Sequence, residues 1–487
     1  MYLHQFYDAS LAQASYLIGC QATGEAIVID PLRDIAPYLQ LAADEKLRIT
    51  DVTETHIHAD FVSGSRELCA RTGATLHLSA EGGPDWQYAY AESDGARLVH
   101  DGDRIVVGNI QLDVLHTPGH TPEHICFLVT DTPRASGPMG LISGDFVFVG
   151  DVGRPDLLER AAHMSGTMEA SARALFASLR RFRALPDHLQ VWPGHGAGSA
   201  CGKALGAIPS STVGYEKLSN WGVGTTSEAE FVRGVLEGQP EPPTYFAEMK
   251  RINREGPTVL GALPIPRQLA ASDIVAIAAS TAWVLDLRPA SEFALGHVPG
   301  SISLPMSRSF STWAGWMVPY VADIVLLIPS SHDGAIAQGD VPADAQHAAD
   351  HAARELAMIG LDRVRGWIGA DAALLAWQDA GEALHTIPQV TAEQVAEGLN
   401  GGALTAIDVR AHSEWVAGHL PRTPNIPVGH LAREFASLPS GALVMQCQGG
   451  TRSAIAASLM HKLGRTDTGN LVGGFGAWVS AGLAVER

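Results

Sequence analysis

Positive charge is in short supply in this chain. Lys and Arg number 33 against 52 Asp and Glu, a formal net charge of −19. A nucleic-acid or anionic-membrane partner would select a basic face, so neither is expected, and the acidic excess serves solubility instead. Long apolar runs are missing too. Ile324-Val325-Leu326-Leu327-Ile328 is far shorter than the ~18 residues of a membrane span and reads as a buried strand. Met1-Tyr2-Leu3-His4-Gln5 has neither the cationic start nor the apolar stretch of a signal peptide. Cysteine is sparse and odd in number: Cys20, Cys69, Cys126, Cys201 and Cys447. That excludes a disulfide framework, fits a reducing compartment and makes the cytoplasm the expected location.

What remains is ample material for several cores. With 487 residues, 46% hydrophobic and 17% charged, the chain is too long for one core, and about three domains are expected. Up to about residue 209, short β-rich runs such as Ala26-Ile27-Val28-Ile29 alternate with Gly/Pro/Asp turns and with amphipathic stretches such as Met168 to Phe182. A β-sandwich with outer helices suits that pattern. Residues 210 to about 262, with Pro240-Glu241-Pro242-Pro243 and a short helix from Tyr245 to Arg254, read as an appendage, so the first domain is placed at 1–262.

The remainder repeats itself. Asp286-Leu287-Arg288, Glu292-Phe293, Gly296-His297 and Leu304-Pro305 recur as Asp408-Val409-Arg410, Glu414-Trp415, Gly418-His419 and Ile426-Pro427, all at an offset of 122 residues. Each copy reads strand, turn, helix, strand, which predicts two α/β domains with parallel sheets at 268–380 and 388–487. The overall class is therefore α/β and α+β multidomain.

Two stretches carry chemistry. The first is Thr55-His56-Ile57-His58-Ala59-Asp60, just past the strand-like Leu47 to Thr53. His120 in Thr117-Pro118-Gly119-His120, Asp145 in Ser143-Gly144-Asp145 and His195 in Pro193-Gly194-His195 each follow an apolar run beside Gly or Pro. One histidine in such a loop is ordinarily a surface or capping residue. A whole series of imidazoles and carboxylates at successive strand ends predicts a metal centre. The second stretch is Cys447-Gln448-Gly449-Gly450-Thr451-Arg452, between the apolar Ala442 to Met445 and an Ala/Leu-rich helix expected over Ser453–Leu463. A thiol there faces a helix N-terminus, whose free N–H groups and dipole favour the thiolate. Arg452 adds positive charge, and the Cys-X4-Arg ring is one residue smaller than a phosphate-cradling Cys-X5-Arg loop, which suits a persulfide sulfur. The first copy holds no such thiol: no cysteine lies between Cys201 and Cys447, and the matching stretch is Pro329-Ser330-Ser331-His332-Asp333-Gly334. Cys201, beside Lys203 in a glycine-rich turn, reads either as an exposed accessory thiol near the metal or as a packed residue.

The series THIHAD, TPGHTPEH, GD and PGHG resembles the metallo-β-lactamase superfamily, and Ser143 to Asp156 is similar to its persulfide dioxygenase branch. The resemblance implies an αβ/βα sandwich and one ferrous ion, Fe(II), per chain on His56, His120 and Asp145. Binuclear members carry His after the aspartate, where this chain has Phe61. Two imidazoles and one carboxylate with open positions suit oxygen-using iron better than hydrolytic zinc. His58, Asp60 and His195 stand as further ligands or as groups behind the ligands. The repeat motifs, the Cys447 loop and Gly473-Gly474-Phe475-Gly476-Ala477-Trp478 resemble rhodanese, a sulfurtransferase, which implies a persulfide on Cys447, with Gln448, Gly449, Gly450 and Thr451 around it and Arg452 beside it. The first copy then reads as an inactive rhodanese-like domain.

In overall plan the chain resembles bacterial persulfide dioxygenase–sulfurtransferase fusions. The activity implied is O2-dependent oxidation of a small thiol persulfide to sulfite, with sulfane-sulfur transfer through Cys447 making or consuming thiosulfate, in a homo-oligomer. The competing reading is a zinc glyoxalase II-like thioester hydrolase with rhodanese-like binding modules.

Overall fold

The computed structural model describes residues 1–157, 166–199, 201–203, 205–239, 241–329 and 344–487. The chain forms two compact units, Met1–Leu263 with Met358–Gly360, and Pro264–Ala357 with Leu361–Arg487. Among the described residues no helix is long and apolar enough to cross a membrane.

The amino-terminal unit is built on two six-stranded sheets. The first runs in order β1 (Tyr2–Asp8), β2 (Gln13–Cys20), β3 (Glu25–Ile29), β4 (Arg48–Thr53), β5 (Thr75–Ser79), β6 (Arg97–Val99), antiparallel up to β3 and parallel beyond it. The second runs β12 (Ser211–Thr212), β11 (Gln190–Pro193), β10 (Gly140–Gly144), β9 (Ile125–Asp131), β8 (Ile110–His116), β7 (Arg104–Val107). Tyr16, Ile18, Ile27 and Ile29 from one sheet meet Leu112, Val114, Phe127 and Ile142 from the other in a shared core. The alternate residues of these strands are buried as well, because helices cover the outer faces. Leu17 and Val28 pack with Tyr38 and Ala42 of the helix Ala36–Asp44, while Leu141 and Val191 pack with Leu175, Phe176 and Leu179 of the helix Met168–Arg183. Burial on both faces explains why β3 reads as a continuous apolar run, Ala26-Ile27-Val28-Ile29, rather than an alternating one. The four-layer αβ/βα sandwich expected from the sequence is therefore present.

The stretch read as an appendage supplies part of this unit's core. Phe231 and Val235 of the helix Glu228–Leu236 join the Phe176 cluster, and the helix Phe246–Glu255 sends Asn253 into the first metal-ligand loop.

The second unit holds two parallel four-stranded sheets: β14 (Ile302–Ser303), β13 (Trp283–Asp286), β15 (Ile324–Ile328), β16 (Val364–Gly369), and β17 (Gln389–Val390), β20 (Thr468–Leu471), β19 (Leu443–Gln446), β18 (Thr405–Asp408). The repeated Asp-X-Arg has a structural basis. Arg288 forks onto the Asp286 carboxylate and donates to the carbonyl oxygen of Gly296 at 2.9 Å; Arg410 does the same with Asp408 and with Gly418 at 2.7 Å. Each pair thus ties a strand end to the carboxyl end of the next short helix. The two halves interlock: Ser303 N–H donates to Ser458 Oγ, and Lys462 donates to the Gly300 carbonyl while lying over the Trp283 ring.

Candidate metal centre and thiol loop

Strand ends from both sheets deliver the metal-ligand series. β4 stops at Thr53 just before His56, β8 at His116 before His120, β10 at Gly144 beside Asp145, and β11 at Pro193 before His195. Gly144 makes its turn at φ +49°, and a Cβ there would sit 2.7 Å from Thr55 Oγ1 and 2.8 Å from His124 Nε2. Only glycine lets the aspartate loop approach so closely.

Asp145 is the hub. Its Oδ2 lies 3.9 Å from His56 Nε2, 3.5 Å from His120 Nε2 and 3.3 Å from His195 Nε2, while His195 Nε2 is also 3.3 Å from Asp60 Oδ2. All five side chains are buried. Their other ring nitrogens are occupied. His120 Nδ1 donates to the Arg154 carbonyl at 3.1 Å and His195 Nδ1 to the Ala12 carbonyl at 3.0 Å. Thr55 Oγ1 gives its proton to Asp30 Oδ2, so at 3.0 Å it accepts from His56 Nδ1. Each Nε2 is thereby left facing Asp145.

Burial alone would raise the Asp145 carboxyl, but the imidazoles of His195, His56 and His120 outweigh it and hold it well below the usual range. Both Asp145 oxygens, Asp60 Oδ2 and His195 Nε2 are buried without a hydrogen-bond partner of good geometry. A cation shared by these groups, a metal ion or the proton that Asp145 and Asp60 favour on His195, is what satisfies them. His56, His120 and Asp145 accordingly form one group of potential ligands, and Asp60, His195 and Cys201 an adjoining one.

His58 is not part of either group. Its Nε2 lies 3.0 Å from Asp30 Oδ1 and its ring packs 4.5 Å from Phe61. Burial opposes its protonation, but the Asp30 carboxylate prevails and raises it to about 9. It sits beside the candidate ligands, its ring 4.2 Å from that of His56. Sequence reasoning missed three residues that position them: Asp30, which also takes the Thr55 N–H at 2.6 Å; His124, whose Nε2 accepts the Asp145 N–H at 3.0 Å; and Glu123, which takes the Ile57 N–H at 2.8 Å. Only the nearness of His124 and Glu123 to His120 in TPGHTPEH could have flagged them. Cys201 is buried rather than exposed, and burial pushes its thiol up to about 12. A cavity of about 400 Å³ opens beside His195, lined by Gln5, Tyr7, Ala207, Ile208 and Pro209.

In the second unit Cys447 directly follows β19, and the helix Thr451–Lys462 begins four residues on. Gly450 adopts φ +102°, a conformation that turns its N–H inward onto Cys447 Sγ at 3.1 Å. Ser453 Oγ donates to the same sulfur at 3.4 Å. Arg452 does not point its guanidinium at the thiol. It forks onto Glu414 at 2.6 and 2.8 Å, so its charge reaches the loop at longer range. Arg410 does more than expected: it lies over the Phe475 ring at 4.3 Å and reaches Gln448 Oε1 at 3.4 Å. The first copy's counterpart, Ser330 to Gly334, lies outside the described residues.

A sandwich with a buried His/Asp cluster at its strand ends, followed by a thiol loop at a helix N-terminus, sets a candidate metal centre in one domain and a candidate reactive thiol in another. The comparisons assign the families. The metallo-beta-lactamase superfamily profile matches residues 10–195 and the rhodanese-like domain profile residues 391–481. A crystal structure described as a metallo-beta-lactamase from Staphylococcus aureus is 42% identical, with a TM-score of 0.65, over 76% of this chain and 98% of its own. The chain belongs to the metallo-beta-lactamase superfamily and carries a rhodanese-like domain at its carboxyl end. ETHE1 from Myxococcus xanthus is 29% identical with a TM-score of 0.43, over 54% of this chain and all of its own. A hydroxyacylglutathione hydrolase of Rhodospirillum rubrum is 33% identical over 37% of this chain. The chain spans between 60% and 66% of the length of such hydrolases.

Proposed function

We propose that the amino-terminal unit is a persulfide dioxygenase and that Cys447 is its sulfurtransferase partner. The observation that carries this reading is the pairing of two imidazoles and one carboxylate, His56, His120 and Asp145, with a histidine, His58, drawn off to Asp30. Ferrous iron held there would activate O2 and take the terminal sulfur of a small thiol persulfide in its open positions. One persulfide, one O2 and one water would give the parent thiol, sulfite and two protons. His195 and Asp60 line the same pocket and are placed to handle those protons. The cavity along Tyr7 and Ile208 would take the carrier thiol. Cys201, buried beside His195, would serve as an accessory thiol in the same pocket.

At the other centre, the Cys447 thiolate would accept a sulfane sulfur, held by the Gly450 N–H, and hand it to sulfite as thiosulfate, or run in reverse. Gln448, Gly449 and Thr451 complete the loop around that sulfur, and Arg452 gives it a positive field. The first copy of the repeat would be an inactive rhodanese-like domain.

A second reading has support of its own. Asp60, His195 and Asp145 could bridge to another metal, and several curated relatives are named hydroxyacylglutathione hydrolases, so a two-zinc hydrolase is the alternative. Anaerobic purification followed by metal analysis and O2-uptake assay with glutathione persulfide separates the two. One iron per chain with uptake abolished by His120→Ala is expected. Two zinc ions and thioester hydrolysis without O2 uptake would sink the dioxygenase.

A further inference from the structure

Away from both of these sites, three histidines meet inside the second unit. His297 follows the short helix Ala290–Leu295, His385 lies in the connection between the two sheets, and His461 is on the last turn of the helix Thr451–Lys462. One ring nitrogen of each lies within 4.8 Å of the others. The backbones of His297 and His385 are locked by reciprocal N–H to carbonyl bonds of 2.9 and 3.0 Å. His297 is 0% exposed and His461 6%, while His385 is half-buried.

Each buried ring uses one nitrogen on a carbonyl. His297 Nδ1 donates to Phe293 at 3.1 Å and His461 Nε2 to Thr468 at 3.0 Å. The nitrogens left over, His297 Nε2 and His461 Nδ1, are buried with no hydrogen-bond partner. A carbonyl-bound N–H fixes the tautomer that turns a lone pair the other way, the arrangement that backs metal-ligating imidazoles. Burial pulls His297 down to about 3 and lowers His461 as well, so both rings are neutral near pH 7.

The repeat supplies a contrast. His419, the counterpart of His297, makes the same Nδ1 bond, to Trp415 at 2.9 Å, but among the described residues its ring joins no such group of imidazoles. Fold maintenance accounts for the Nδ1 bond in both copies. It does not account for three histidines converging in one.

We propose that His297, His385 and His461 form a structural site for a borderline divalent cation, zinc above all, that clips the two halves of this unit together. Three neutral imidazoles without a carboxylate suit zinc, copper or nickel and not magnesium or calcium. Zinc–nitrogen bonds of about 2.0–2.1 Å in a tetrahedron place the nitrogens about 3.4 Å apart. The half-buried His385 ring is the one free to close that gap, leaving the fourth position to water. The site is remote from Cys447, since the helix from Thr451 to His461 spans roughly 15 Å.

The test uses the full chain, stripped with a chelator and carrying His120→Ala and His195→Ala so that the amino-terminal centre binds nothing. Zinc is titrated in competition with a chromophoric chelator, and cobalt is added as a spectroscopic probe. One zinc per chain, intense tetrahedral cobalt bands and a zinc-dependent rise in Tm are expected. His385→Ala, the substitution least disruptive to packing, should weaken zinc by at least ~100-fold and remove the bands. His461→Gln should do the same, and in the otherwise unaltered chain each should cost one bound zinc. Absence of zinc binding in the stripped parent would overturn the site, as would an affinity in both variants equal to that of the parent.

Discussion

Asn253 holds Phe61. Its Nδ2 donates to the Phe61 carbonyl at 2.7 Å and to the His58 carbonyl at 2.8 Å, while its Oδ1 accepts the Ser63 N–H at 2.9 Å. A helix 192 residues further along the chain therefore fixes the exit of the loop that carries His56 and Asp60.

Asn253→Ala would strand three buried polar groups at once. Each costs about 1–3 kcal/mol, not additively, so a loss of about 3 kcal/mol is expected. Urea denaturation reads the stability and competitive titration the metal affinity, which should fall as the loop loosens. Unchanged metal affinity in a destabilised variant would confine Asn253 to a structural role.

Phe61→His restores an imidazole beside Asp60. With zinc supplied, the variant should bind a second metal through the new ring, Asp60 and His195, and should lose O2 uptake. The fully buried Phe61 packs on His58, so a stability loss of about 1–3 kcal/mol accompanies the change. A stoichiometry unchanged from the parent would remove Phe61 from the choice of metal number.

Cys447→Ser should leave sulfite formation intact and abolish thiosulfate formation. Glu414→Gln tests the loop's framework instead. Losing the forked, charge-assisted bond to Arg452 should lower sulfur-transfer kcat roughly 10-fold without touching O2 uptake. Glu414→Asp, which keeps the charge, should recover part of the rate. Unaltered transfer in Glu414→Gln would show that Arg452 needs no anchor.

How legible these sites were depends on the range of the contacts. His120, Asp145 and His195 announce themselves because each sits beside Gly where a strand ends, and His56 because it opens a His-X-His-X-Asp run just past one, all local patterns. The repeat was equally plain, since Asp286–Arg288 and Asp408–Arg410 pair across two residues. Asn253 and Asp30 carry no such mark: they act on loops 195 and 25 residues away through side-chain hydrogen bonds that no local pattern shows. The anchor of Arg452 was hidden for the same reason, its carboxylate partner lying 38 residues upstream. Cys201 read as either exposed or packed because glycines surround it; it is packed, and its neighbours in space are Asp60 and His195.

Glu123 offers a pH signature separate from the metal. It is fully buried, and burial raises its carboxyl to about 7 despite the bond from the Ile57 N–H. An unfolded Glu titrates near 4.3, so between about 4.3 and 7 the folded state binds the extra proton. Its contribution to stability is complete below that window and is lost as pH rises through about 7. Glu123→Gln keeps an oxygen for Ile57 and cannot ionise. Relative to the parent, the chelator-treated variant should therefore gain on the order of 2–3 kcal/mol between pH 5 and pH 8. Guanidinium unfolding at a series of pH values gives that difference directly. A difference flat with pH would mean that Glu123 ionises in the folded protein as it does in the unfolded chain.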